Sequence, residues 1–310
     1  MLEFKNDRYA IYNSDCYDLM SNMPDNSVDF QIYSPPFATL YIYSDDLRDL
    51  GNCQNYEQFF EQYDPIIKES LRILRAGRLA AVHCKQIAKY KNSSGAAGWY
   101  DFRGEIIRHY EQAGFQYHSE VVIWTDPVLE MQKTKTQRLL YCNLRKDASV
   151  SGLGMPEYLC IFRKWDESCE DKKIPVEHYK DEKECEKRNG DARNIMDLEE
   201  WRRFASPVWF DIKRTDVLNG RIAREDTDEK HICPLQLEVI RRAIKLWTNP
   251  GEIVFSPFMG IGSEGYVSLE QGRRFIGSEL KTSYYQQAEK NLKMVYDEQN
   301  APSLFEDMEE

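Results

Sequence analysis

The chain has 310 residues, 42% hydrophobic and 13% aromatic, which suits a packed α/β domain with an insertion and excludes global disorder. Its formal net charge of −11 excludes general adhesion to nucleic acid, so contacts to a polyanion must come from locally gathered basic groups. The eight Cys are scattered without a C-x-x-C pair or a Cys/His cluster, and neither a signal pattern nor an apolar run of membrane length is visible, so the sequence predicts a soluble, cytoplasmic, metal-free protein.

In chain order, VDFQIY predicts a buried strand over 28–33 that runs into Ser34-Pro35-Pro36-Phe37. Helical periodicity over 56–74 is broken by Gly77, and LAAVHC predicts a second buried strand over 79–84. A helix over 104–112 stops at Gly114, and strands follow over 117–124 and 158–162. Residues 166 to about 200 are highly charged and nearly free of aliphatic side chains, which predicts a surface insertion or linker. A helix over 235–247, a strand over 253–255, a helix over 262–271, a strand over 275–277 and a helix over 284–294 complete the pattern before an acidic tail. Such alternation predicts a largely parallel sheet covered on both faces. The expected organisation is one half over 1–165, the insertion over 166–206, a second half of the same domain over 207–298, and the tail over 299–310.

Two loops carry chemistry. Ser34-Pro35-Pro36-Phe37 lies at the carboxyl end of a strand, where open α/β sheets bind ligands. Two prolines fix two φ angles and remove two N–H donors, leaving a stiff loop lined with acceptors. The Ser34 hydroxyl and the Pro35 carbonyl can hold the hydrogens of an exocyclic base nitrogen and free its lone pair for attack on a methyl sulfonium. Phe37 offers a flat face to a base taken out of the stack. The second loop, Ser256-Pro257-Phe258-Met259-Gly260-Ile261-Gly262, joins a strand to a helix N-terminus, the general nucleotide-binding device. Glu279, seventeen residues beyond Gly262 and after the next strand, suits hydrogen bonds to ribose hydroxyls. The loop has neither the third glycine of the dinucleotide fingerprint nor the P-loop lysine, so it fits an adenosine without phosphates better than NAD or ATP.

Together these loops resemble the amino-methyltransferases of DNA, the N6-adenine and N4-cytosine family, with its (D/S)-P-P-(Y/F) catalytic loop and D-P-F-x-G-x-G cofactor loop. The catalytic loop comes first, as in the permuted β-class members. The resemblance implies a Rossmann-like methyltransferase fold with a mostly parallel seven-stranded sheet and S-adenosylmethionine as cofactor. It carries Asp15 and Cys16 over to the cofactor adenine, and His231 and Pro234 to the segment beside the cofactor methionine. Ser256, Phe258, Gly260, Gly262 and Glu279 complete the implied cofactor set; Ser256 stands where the family has Asp. Lys133, Lys135, Arg138, Arg145, Lys146 and Arg214 lie in basic stretches suited to DNA phosphates. Tyr41 and Tyr43 follow the catalytic loop and are candidates for the base pocket. The sequence is also similar to stand-alone phage and prophage methylases, which implies low sequence specificity and favours adenine, whereas Ser34 is commoner in cytosine-N4 enzymes. β-class relatives are often homodimers. A non-catalytic DNA-binding regulator and an RNA methyltransferase are the alternative readings.

Overall fold

The structure, a computed structural model, describes residues 2–37, 48–89, 95, 98–133, 141–150, 152–169, 173–219 and 234–300. In chain order its strands are β1 (Leu2–Lys5), β2 (Tyr9–Asn13), β3 (Val28–Tyr33), β4 (Leu74–Lys85), β5 (Ile87–Lys89), β6 (Gly98–Tyr100), β7 (Phe115–Ile123), β8 (Glu157–Lys164), β9 (Val208–Trp209), β10 (Ile253–Ser256) and β11 (Arg274–Ser278). Nine form one sheet in the order β1-β2-β11-β10-β3-β4-β8-β7-β9, and β5 and β6 make a separate hairpin. β2, β11, β10, β3 and β4 are mutually parallel. β8 runs against both its neighbours and β1 against β2.

The sheet thus has nine strands, where seven were expected. The two additions are short edge strands. β1 is returned to β2 by a turn in which the Asn6 side chain accepts from the N–H groups of Arg8 and Tyr9. β9 pairs parallel with the end of β7. Neither edge strand, nor β2, was expected from hydrophobic runs, although Tyr9-Ala10-Ile11 is a short buried stretch of strand-forming residues.

Helices cover both faces. Val239, Ile240, Ala243 and Ile244 of the helix Leu237–Trp247 share a core with Phe30, Ile32, Ala81, Leu159 and Ile161. Two further helices, Ser263–Glu270 and Thr282–Asn300, close the same face through Val267, Leu269, Ala288 and Leu292. On the other face, Phe59, Phe60, Tyr63 and Ile67 of the helix Tyr56–Ile73 and Phe102, Ile106 and Tyr110 of the helix Phe102–Ala113 pack on Tyr33, Val82, Cys160 and Phe162. Alternate residues of β4 and β8 enter opposite cores, and all six side chains of β3 are buried.

The charged segment after residue 165 is a docked insertion with short helices at Glu182–Lys187 and Leu198–Phe204. Tyr179, Cys185, Met196 and Phe204 are buried in it, whereas Ile174, Leu198 and Trp201 are exposed. Arg273, fully buried, donates to the Asn194 side chain at 2.6 Å and to the Thr248 carbonyl at 2.7 Å, tying the insertion to the sheet. Among the described residues, no helix is long and apolar enough to cross a membrane, and no group of His, Cys, Asp and Glu suits a metal ion.

Candidate active site

β10 lies between β11 and β3, and all three are parallel. Their carboxyl ends therefore open on one side of the sheet, at the point where the chain order reverses. The proline loop leaves β3 and the glycine loop leaves β10, so two segments more than two hundred residues apart in sequence become neighbours. Tyr33 and Phe258 join them, with ring centroids 5.8 Å apart. Below them Tyr33, Tyr63 and Tyr110 are fully buried and hydrogen-bond to one another through their hydroxyls.

Ser34 is held from the side. Its Oγ lies 2.8 Å from Nδ1 of His83, and His83 Nε2 lies 3.3 Å from Oε2 of Glu157. Burial alone would raise the Glu157 carboxyl, but the His83 hydrogen bond and the charges of His83, Lys85 and Arg214 outweigh it and hold the group at about 2. Gln236 donates to Glu157 at 3.4 Å, and Lys85 donates to the buried Glu130 at 2.9 Å. Phe37 is half-buried, with its ring 6.3 Å from that of Phe102.

The glycine loop is fixed from the other side. Oε2 of Glu279 accepts from Gly260 N–H and Oε1 from Lys281 N–H, each at 2.9 Å. Burial, aided by the negative charge of Asp49, pushes the Glu279 carboxyl up to about 7 despite these hydrogen bonds. Asn13 donates to the carbonyls of Glu279 and Leu280, and Ser278 Oγ donates to the Ser14 carbonyl. The ends of β2, β10 and β11 are thereby sewn together.

Asp15 caps the helix Cys16–Ser21, its Oδ1 accepting from Tyr17 N–H at 2.8 Å. Cys16 is buried beside it, and burial pushes its thiol well up. Pro234 is half-buried just before Leu235 and Gln236. Arg145 and Lys146 are exposed on the helix Tyr141–Lys146. Arg214, expected at DNA phosphates, is instead turned inward. Its guanidinium lies 3.4 Å from both Glu130 and Glu157, because those buried carboxylates need a counter-charge. His231, Lys135, Arg138, Tyr41, Tyr43 and the side chain of Lys133 lie outside the described residues.

The glycine loop fits S-adenosylmethionine. Gly260 has φ +53°, and a Cβ added there would meet nothing within 4 Å, leaving space for close approach. The hydroxyls of Ser256 and Ser263 are buried without a hydrogen-bond partner among the described residues. Glu264, at the head of the next helix, is 4% exposed, and burial with the nearby Glu279 pushes its carboxyl up to about 8. Two buried carboxyls and two hydroxyls left without a partner among the described residues, near an open glycine, form a polar cradle suited to a cationic adenosine derivative.

The sheet order and the paired loops are those of an α/β methyltransferase, with the proline loop beside the glycine loop. A family model described as DNA methylase matches residues 28–290, and the chain belongs to this family of DNA amino-methyltransferases. It is 26% identical over 297 residues to the type II methyltransferase M.BglII of Bacillus subtilis, covering 94% of this chain and 70% of that protein. It is 22% identical over 279 residues to the orphan methyltransferase M.BamHII of Bacillus amyloliquefaciens, covering 89% and 92% respectively. The fold is similar to that of TTHA0409 from Thermus thermophilus, crystallised with S-adenosyl-L-methionine, with TM-score 0.64, 19% identity, and 93% and 95% of the two chains covered. PvuII DNA methyltransferase, a cytosine-N4-specific enzyme, gives TM-score 0.54 at 14% identity over 94% and 92%. This chain is thus an S-adenosylmethionine-dependent DNA methyltransferase acting on an exocyclic amino group.

Proposed function

We propose that this methylase takes its target base out of the duplex and pins the amino group between the Ser34 hydroxyl and the Pro35 carbonyl, with Phe37 against the base. The observation that carries this reading is the emergence of the proline and glycine loops from adjacent parallel strands at one end of the sheet. In it, Glu279 binds the ribose, Gly260 lets the backbone approach the cofactor, and Asp15 uses the carboxylate oxygen left over from helix capping to reach the adenine. Bound S-adenosylmethionine supplies a methyl group on a cationic sulfur. The chain's own residues hold the acceptor amine in line with that methyl and keep water out, which is positioning more than covalent chemistry. Arg145 and Lys146, with Lys133, Lys135 and Arg138, supply phosphate contacts for an otherwise acidic protein.

Adenine N6 is the first reading of the target, on the resemblance to stand-alone phage and prophage methylases. Ser34 at the head of the catalytic loop is the feature that favours cytosine N4 instead. The similarity to stand-alone phage and prophage methylases makes a short or weak sequence preference, in a bacterial cytoplasm, part of the proposal, and one relative is itself named an orphan methyltransferase. Mass spectrometry of nucleosides from treated DNA distinguishes N6-methyladenine from N4-methylcytosine. Ser34→Ala and Phe37→Ala each lower turnover by about 10²-fold or more while cofactor affinity stays unchanged. Equal loss of cofactor binding in both variants would contradict these roles.

A further inference from the structure

We infer that His83 and Glu157 are positioning residues that orient the Ser34 hydroxyl and receive the proton released when the base amine is methylated. The inference rests on the reading of Ser34 as the acceptor for that amine. A hydroxyl facing an amino group must accept, not donate, so its own hydrogen has to be sent elsewhere. His83 Nδ1, 2.8 Å from Ser34 Oγ, is the atom that can take it. For Nδ1 to accept, the imidazole must carry its hydrogen on Nε2, and that nitrogen faces Oε2 of Glu157 at 3.3 Å. Glu157 is held ionised by the hydrogen bond from His83 and by the charges of Lys85 and Arg214, and Gln236 donates to the same oxygen, which fixes the carboxylate in place. His83 itself is 7% exposed, so the relay is shielded from water that would scramble the hydroxyl direction.

The step balances. The base nitrogen's lone pair forms the N–CH3 bond as the C–S bond breaks with its pair on sulfur, and the nitrogen becomes cationic. One N–H proton passes to Ser34 Oγ while the Ser34 hydroxyl proton passes to His83 Nδ1. Ser34 ends neutral, the methylated amine ends neutral, and the imidazolium sits between the Ser34 hydroxyl and the Glu157 carboxylate until it releases its proton to solvent. The charged groups facing the imidazole and its carboxylate are Glu157 on β8, Lys85 on β4, Glu130 on the helix Pro127–Lys133, and Arg214. An imidazole already protonated before the reaction has no acceptor at Nδ1, so it turns the Ser34 hydroxyl toward the amine and blocks the site.

The test is single-turnover methylation of duplex DNA at saturating cofactor across a range of pH, for wild type and His83→Gln. Glutamine can still accept from Ser34 but cannot take up a proton. The expected result is an acid-side decline of the rate in wild type that is lost in His83→Gln, together with a fall of about 10²-fold in the rate and unchanged affinities for S-adenosylmethionine and DNA. A rate within a few-fold of wild type, or an unaltered acid-side decline, overturns the inference; inactivity of Ser34→Ala alongside it would leave the Ser34 reading standing. Should the variant not fold, 15N NMR of the wild-type protein decides: a hydrogen on Nε2 of His83 supports the relay, and a hydrogen on Nδ1 with Nε2 bare refutes it.

Discussion

Replacing each loop glycine by alanine separates its role in the fold from its role in the site. Gly262 has φ +86°, and a Cβ there would lie 2.6 Å from Leu292 Cδ1 and 3.1 and 3.3 Å from Cβ and Cα of Ala288. The left-handed backbone disfavours any side chain by roughly 1–2 kcal/mol. The clash with the helix Thr282–Asn300 involves backbone that cannot step aside, and overpacking of that kind adds about 1–3 kcal/mol. Gly262→Ala should therefore destabilise the cofactor-free protein by about 3 kcal/mol. Gly260 shares the left-handed region, with φ +53°, yet its added Cβ meets nothing. Gly260→Ala should lose only about 1 kcal/mol of stability. In the proposed cofactor site, its methyl group would instead fill space that S-adenosylmethionine needs, and affinity for the cofactor should fall at least about tenfold, near 1.4 kcal/mol. Urea unfolding without cofactor gives the first quantity and isothermal titration calorimetry the second. Equal destabilisation by the two substitutions, or wild-type cofactor affinity in Gly260→Ala, would refute the division.

Two further substitutions test the buried charges. Because the Glu264 carboxyl is pushed up to about 8, the folded protein keeps a proton that the unfolded chain releases near its ordinary value, so stability falls as pH rises through that window and is lowest above about 8. Glu264→Gln should flatten this dependence and, at about pH 9, exceed wild type by at most about 5 kcal/mol, taking roughly 1.4 kcal/mol per tenfold change in acid dissociation. Parallel stability curves for the two proteins from pH 5 to 9 would count against the assignment. Arg273→Leu removes the donors that satisfy Asn194 Oδ1 and the Thr248 carbonyl, leaving both buried and unpaired. It should lower unfolding free energy by about 3 kcal/mol and open the 166–206 insertion to limited proteolysis, whereas an unchanged proteolytic pattern would show that the insertion docks without it.

The placing of both loops of the candidate site was legible because each is written in a contiguous stretch. A buried run leading into two prolines, and another leading into two glycines, fix both loops at strand ends without knowledge of the rest. The Ser34–His83–Glu157 network was not legible, because its members are 49 and 74 residues apart and meet only when β4 pairs parallel with β3 on one side and antiparallel with β8 on the other. In LAAVHC, His83 reads as one more residue of a buried strand. The docking of the insertion was hidden for a different reason. Composition averages over charged residues that face solvent and conceals the few, such as Tyr179 and Met196, that carry the packing. Arg214 shows the limit of counting basic residues, since a stretch rich in arginine does not reveal which guanidinium is claimed by a buried carboxylate.

The order in which the chain supplies its parts matters less than the edge at which they emerge. The first half of the chain provides β3 and β4 beneath the proline loop, but it also provides β1 and β2 on the far side of β11, beyond the glycine loop. Asn13, which clamps the Glu279 turn, and Asp15 belong to that same half. The candidate cofactor side therefore draws on both of the expected halves of the one domain. Parallel pairing puts every contributing strand end on one side whichever segment is made first, so a permuted chain can reach the same chemistry. What such a chain must preserve is the adjacency of β3 and β10, since that pairing is what brings the proline loop beside the glycine loop.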